Sequence, residues 1–321
     1  MAPTKPAPEE PDRPTRKRFL RCCVIVLFCL TASSVDAARG ELSPNQARKL
    51  IARMPGFELK SSAVRVRTIR SIDAATAEAS VEIATVFRLE KGDLQQWRVL
   101  EFRTGQDQWQ GIEFIMRALK IEESANPCDV AEMAVRQKQP ADPTIKRARC
   151  LLAELLAVPL PSDDVRIKAV SSMALPLGSK PSATVEAVVT AAFRLRKEAQ
   201  GWRVSSVRTG TRDWVDPEVI LNAVNAAKTA SARTELESIA KALEDFRSQR
   251  GSYVESKSQT VLVDFLSPRY LSRVIRLDPW RRPYLYEGTR DHFALSSTGP
   301  DGKANTSDDI VLSGPNRSAV R

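Results

Sequence analysis

The chain has 321 residues, 42% of them hydrophobic and 27% charged. This is enough apolar material for real cores and too even a mix for a collagenous or wholly disordered chain. A single histidine excludes His-rich metal centres and leaves little for histidine-dependent catalysis. The net charge of +10 favours acidic partners or an anionic surface without naming either.

Residues 1–38 read as an export signal. Arg16, Lys17 and Arg18 supply a positive start, an apolar run follows from Cys22 to Ala32, and Val35-Asp36-Ala37 fits a small-x-small cleavage site. The run is shorter than the roughly 20 apolar residues of a transmembrane helix. Residues 15–21 also resemble a twin-arginine signal with Lys17 in place of the second arginine, so the export route stays open. Cleavage would leave a periplasmic or secreted protein; an uncleaved signal would leave an inner-membrane anchor and keep the chain near the membrane. Removing the segment takes away six Lys or Arg and four Asp or Glu, and the remainder carries +8.

The middle of the chain is duplicated. Residues 97–105 (WRVLEFRTG) correspond to residues 202–210 (WRVSSVRTG), and Trp109 corresponds to Trp214 at the same offset. Phe87-Arg88-Leu89 corresponds to Phe193-Arg194-Leu195, and Val64-Arg65-Val66 to Val165-Arg166-Ile167. Each copy predicts a helix (43–54, 144–156), three strands and a closing helix (112–119, 217–227). Ser43-Pro44 and Asp142-Pro143 are the expected helix starts. The fold class is α+β: two tandem α-β-β-β-α repeat domains, at 40–121 and 141–230, joined by a polar linker at 122–140. Trp97 and Trp202 alternate with charged residues as core-facing aromatics do, with a ligand platform as the other reading. Arg103 and Arg208, each before Thr-Gly, are candidate anion contacts or solvated strand ends. Cys128 and Cys150 remain after the signal and are candidates for a disulfide in an oxidising compartment.

From residue 231 the pattern changes. Leu236, Ile239, Leu243 and Phe246 predict an amphipathic helix ending at Arg250-Gly251. A short helix or loop follows at 261–270, then a turn and strand at 278–286 and a strand at 292–297. The chain then runs through Thr298-Gly299-Pro300-Asp301-Gly302 to Asp308-Asp309. The helix end with Gly251-Ser252-Tyr253, the Asp-Pro-Trp-x-x-Pro-Tyr string at 278–284, Ser297-x-Gly299-x-Asp301-Gly302 and the Asp308-Asp309 pair occur in that order. Together they resemble the major pseudopilin of the type II secretion system over about residues 232–313, within a C-terminal domain at 231–321. The resemblance implies a head in which a helix packs on a small antiparallel sheet closed by a calcium loop. Asp301, Asp308 and Asp309 offer carboxylates suited to a hard cation. The backbone carbonyl of Thr298 matches a family ligand position. A pseudopilin also opens with a long apolar helix that builds the filament, and residues 217–231 are polar and Ala-rich instead.

No Gly-rich phosphate loop, Gly-x-Ser-x-Gly elbow or His-Glu-x-x-His string occurs. His292 beside Asp291 has no evident nucleophile. The expectation is a non-enzymatic exported protein with a structural Ca2+. Its partners would be proteins of a secretion or pilus-like apparatus. The alternative is an exported adhesin or anionic-glycan-binding protein that carries the head as a module. The charge alone suggests nucleic acid, and no recognition motif or export logic supports it.

Overall fold

A computed structural model describes residues 41–92, 96–121, 143–160, 162–173 and 180–314. The signal expected at 1–38, the linker at 122–140, and Cys128 lie outside them. The first copy runs α1 (Pro44–Ala52), β1 (Val64–Ser71), β2 (Thr76–Lys91), β3 (Trp97–Arg103), β4 (Trp109–Gly111) and α2 (Ile112–Ala118). The second runs α3 (Ile145–Leu155), β5 (Val165–Met173), β6 (Ser182–Glu198) and β7 (Gly201–Thr209). Then come α4 (Pro217–Arg250), α5 (Gln259–Leu266), β8 (Leu285–Gly288), β9 (Phe293–Ser297) and β10 (Ile310–Ser313).

Local chemistry sets the helix starts. The Ser43 hydroxyl accepts the Gln46 N–H at 3.2 Å, with Pro44 in the first turn of α1. In the second copy the Thr144 hydroxyl accepts the Arg147 N–H at 3.2 Å. The cap is therefore Thr144, while Asp142, the expected start, lies outside the described residues.

The two copies do not fold as separate sheets. β1 to β7 form one seven-stranded antiparallel sheet whose centre is the β2–β6 pair. These strands run together from Thr76 opposite Arg196 to Glu90 opposite Ser182. Ile83 faces Val189, and about that point each copy lies where the other's equivalent does. Val64 pairs with Ile83 as Val165 pairs with Val189. The bulge at Val66/Thr68 has its counterpart at Ile167/Ala169, and that at Arg88/Leu89 at Arg194/Leu195. The Phe102–Gln110 pairing of β3 with β4 reappears as the isolated bridge from Val207 to Val215.

Side-chain alternation gives the sheet two unlike faces. Ala77, Ala79, Val81, Ile83, Phe87 and Leu89 of β2 join Val185, Val189, Phe193 and Leu195 of β6 in one core. Ala47 and Ile51 of α1 and Ala148 and Leu152 of α3 close over it. Trp97 is buried in this core and Trp202 packs against it, as expected of core-facing aromatics. The opposite face carries charge. Glu82, 5% exposed, meets Arg67 and Arg166 at 2.5 Å and Arg65 at 3.7 Å. Burial pushes its carboxyl up, but the hydrogen bonds from the two nearer arginines outweigh that and hold it below its ordinary value.

The helix after β7 differs from the expectation of two pieces. Asp216 caps it, accepting the Glu218 N–H at 2.8 Å, Pro217 occupies the first turn, and α4 continues for 34 residues to Gly251. Lys228-Thr229-Ala230-Ser231 contains neither Gly nor Pro, so nothing stops it. The boundary drawn at 230/231 thus falls inside one helix. Its second half buries Leu236, Ile239, Leu243 and Phe246 against α5 and the three-stranded antiparallel sheet β10-β9-β8. Tyr253, Tyr284, Phe293 and Leu295 complete this second core.

Candidate functional site

The loop between β9 and β10 is built on a turn upstream of it. Asp278, 4% exposed, accepts the N–H groups of Trp280 and Arg282 on one oxygen, both at 2.9 Å, and the Ser297 hydroxyl on the other at 2.6 Å. That pins the residue 278–284 string beside the loop. Arg282 then donates to the carbonyls of Gly299 at 2.5 Å and Pro300 at 3.2 Å. Two glycines let the chain close over it. Gly299 sits at φ +59, where a Cβ would lie 2.3 Å from the Asp308 carbonyl oxygen. Gly302 sits at φ +70, where a Cβ would lie 2.4 Å from the Arg282 guanidinium carbon.

Within the loop the Asp301, Asp308 and Asp309 side chains all approach the Thr306 hydroxyl. Its oxygen lies 2.7 Å from Asp308 Oδ1, 3.3 Å from Asp301 Oδ1, 3.4 Å from Asp309 Oδ1 and 3.0 Å from the Lys303 carbonyl oxygen. A hydroxyl has one proton to give. Four acceptors therefore surround one donor, and the surplus is negative. Main-chain N–H groups offset part of it: Asp301 donates to Asp308 at 3.0 Å, Lys303 to Asp301 at 2.8 Å and Asn305 to Asp309 at 2.7 Å. The Asp301 N–H and the Thr306 hydroxyl hold Asp308 below the usual carboxylate range. The Thr298 carbonyl accepts the Gly302 N–H at 3.2 Å, and the Thr298 hydroxyl is buried without a partner. Among the described residues no three His, Cys, Asp or Glu side chains close on one another as in an assembled metal cluster. The donors are nevertheless all oxygen and mostly anionic, which fits a hard cation and not zinc.

Residues 219–313 match the family model of type II secretion system (T2SS), protein G. The match runs from the first turn of α4 to the end of β10, so it takes in the whole head and the turn and loop just described. It agrees with the major-pseudopilin resemblance of the C-terminal sequence and covers less than a third of the chain. No curated protein and no solved structure matches the chain. The matched segment is similar to protein G of the type II secretion system, and the duplicated sheet lies outside the match.

The matched segment is fastened to that sheet by polar contacts. Arg281 binds Glu101 of β3, which also binds Arg88 of β2. Lys228 of α4, 6% exposed, donates to Gln110 Oε1 at 3.0 Å. Within the matched segment itself, Trp280 Nε1 donates to Asn225 Oδ1 of α4 at 3.1 Å and so ties the 278–284 turn to that helix. Sequence reasoning missed Thr306, Arg282 and Arg281. The first is one hydroxyl among many, and the others become legible only once the turn brings them to the loop and to β3.

The two candidate anion contacts stand in different surroundings. Arg103 lines a cavity of about 320 Å3 with Lys60, Ser62, Lys168 and Glu186. Arg208 lies over the Trp214 ring at 4.6 Å. Cys150 on α3 is disulfide-bonded, while its expected partner Cys128 lies outside the described residues. No described helix is long and apolar enough to cross a membrane.

Proposed function

We propose that this is an exported, non-catalytic structural or accessory component of a type II secretion or pilus-like apparatus, working outside the cytoplasm through protein partners. The observation that carries this reading is the protein G match over residues 219–313. A disulfide-bonded Cys150 fits an oxidising compartment. The helix of the head begins at Pro217 directly after the sheet, in the stretch where a filament subunit has its apolar helix. That favours an accessory that presents the head over one polymerised through an apolar helix.

In the finer reading the head is set by a structural Ca2+. Asp301, Asp308 and Asp309 would hold it with the Thr298 carbonyl, and the ion would supply the positive charge that the loop's surplus of acceptors lacks. Calcium titration of the purified protein, followed by melting temperature, tests this. Millimolar Ca2+ raises the melting temperature, and Asp308→Ala and Asp309→Ala abolish the rise. An unchanged melting temperature ends the calcium reading but leaves the secretion reading standing. The latter is tested by co-purification with secretion components from the native source, and a clean protein with no such component counts against it.

A further inference from the structure

Copy two of the sheet carries the counterpart of a carboxylate site that copy one fills from within the chain. In copy one, Arg88 faces Glu101 across β2 and β3, immediately before the bulge at Arg88/Leu89. The Arg88 guanidinium stacks on Trp109 at 4.4 Å, and Glu101, 3% exposed, binds Arg88 and Arg281. In copy two, Arg194 faces Ser206 across β6 and β7, immediately before the equivalent bulge at Arg194/Leu195. Arg194 stacks on Trp214 at 4.2 Å, and Arg208 lies over the same ring at 4.6 Å.

The arginine, the bulge and the tryptophan are repeated and the carboxylate is not, while the second arginine is Arg281 of the 278–284 turn in copy one and Arg208 of β7 in copy two. Ser206 stands where copy one has Glu101. The nearest carboxylate to Arg194 is that of Glu78, at 3.7 Å and outside hydrogen-bond reach. Among the described residues the Arg194 guanidinium makes no hydrogen bond, its buried Nε included, and Arg208 has no carboxylate partner. Elsewhere on this face one carboxylate, Glu82, serves three arginines. Among the described residues, two guanidinium groups over one indole therefore have only the Glu78 carboxylate beside them, without a hydrogen bond to it.

We propose that Arg194, Arg208 and Trp214 form a binding site for a side-chain carboxylate of an acidic peptide segment. A guanidinium held over an aromatic ring can still grip a carboxylate through paired hydrogen bonds from its terminal N–H groups. In copy one Arg88, the counterpart of Arg194, grips a glutamate together with Arg281. The indole face that a sugar would stack on is already occupied by guanidinium, which favours peptide over glycan. The site lies outside the protein G match and does not depend on the role of the head.

The test uses the full chain and a hexaglutamate peptide at low salt, read by calorimetry. Wild type binds the peptide. Arg208→Gln weakens binding about tenfold or more. Ser206→Glu, which supplies the missing carboxylate in cis, abolishes binding while circular dichroism and melting temperature show a folded protein. Absence of hexaglutamate binding by wild type, or equal binding by Ser206→Glu, overturns the assignment. A parallel titration with a heparin hexasaccharide separates the sources of negative charge. If it binds and Ser206→Glu removes it while hexaglutamate does not bind, the site belongs to a sulfated glycan and the peptide assignment fails.

Discussion

Lys228 is a positive charge held where positive charge is disfavoured. Burial lowers its ammonium to about 8, with Asp278 pulling upward and Arg282 adding to the depression. The unfolded chain keeps that proton up to about the ordinary value of 10.5. Between about pH 8 and 10.5 the unfolded state therefore binds more protons, and stability rises with pH across that window. Lys228→Met should raise the melting temperature at pH 7 and remove the alkaline rise; a flat wild-type profile would show that the lysine is not depressed. Lys228 looks like an ordinary surface residue of a polar helix in sequence. Its burial is created by α2 and the 278–284 turn, elements distant along the chain. Asp301, Asp308 and Asp309, by contrast, were legible because their spacing is local. Thr306 was not, because only the folded loop puts its hydroxyl among their oxygens.

At the scale of elements, α4 is the joint between the duplicated sheet and the head. Its first half packs on the sheet side through Val224 and Lys228 and its second through Leu236, Ile239 and Leu243. Ala230, at the changeover, is exposed, so a substitution there acts through the backbone alone. Ala230→Pro removes a helix hydrogen bond and clashes with the preceding turn, a loss of about 3 kcal/mol. The variant should unfold in two calorimetric steps in place of one. A single transition at the wild-type temperature would mean that the helix does not couple the two cores. The strands of both copies and the end of α4 at Gly251 could be read from alternation and a terminal glycine. The join at 227–232 could not. A change in hydrophobic pattern there marks a change of packing partner, and the helical backbone runs through it undisturbed.

Across the whole molecule, sharing one sheet decides what can be cut away. Residues 40–121 carry every element of copy one, and the sequence alone presents them as a domain. Yet β2 makes fifteen residue pairs with β6, from Thr76 to Glu90, and the core under it is lined by both strands. Released alone, copy one would expose the whole of that edge. Expressed as residues 40–121, it should give no folded monomer by circular dichroism and sizing; a stable monomeric domain would refute the shared core. The internal similarity was plain from the matched Trp-Arg-Val strings. The pairing between copies was not, because β2 and β6 read alike whether they meet each other or face apart.

The point where Ile83 meets Val189 has an evolutionary meaning. Two equivalent strands that run antiparallel through one such point obey the rule of an isologous interface, in which the same surface serves both sides. The sheet has the geometry of a homodimer whose dyad passes between those residues, written on a single polypeptide. Fusing two subunits frees them from being identical. One copy carries Glu101 and holds the head through Arg281, while the other carries Ser206 at the equivalent place beside Arg194 and Arg208. A symmetric ancestor would have to hold two heads or none; the fused chain holds one, and keeps its other half for something else.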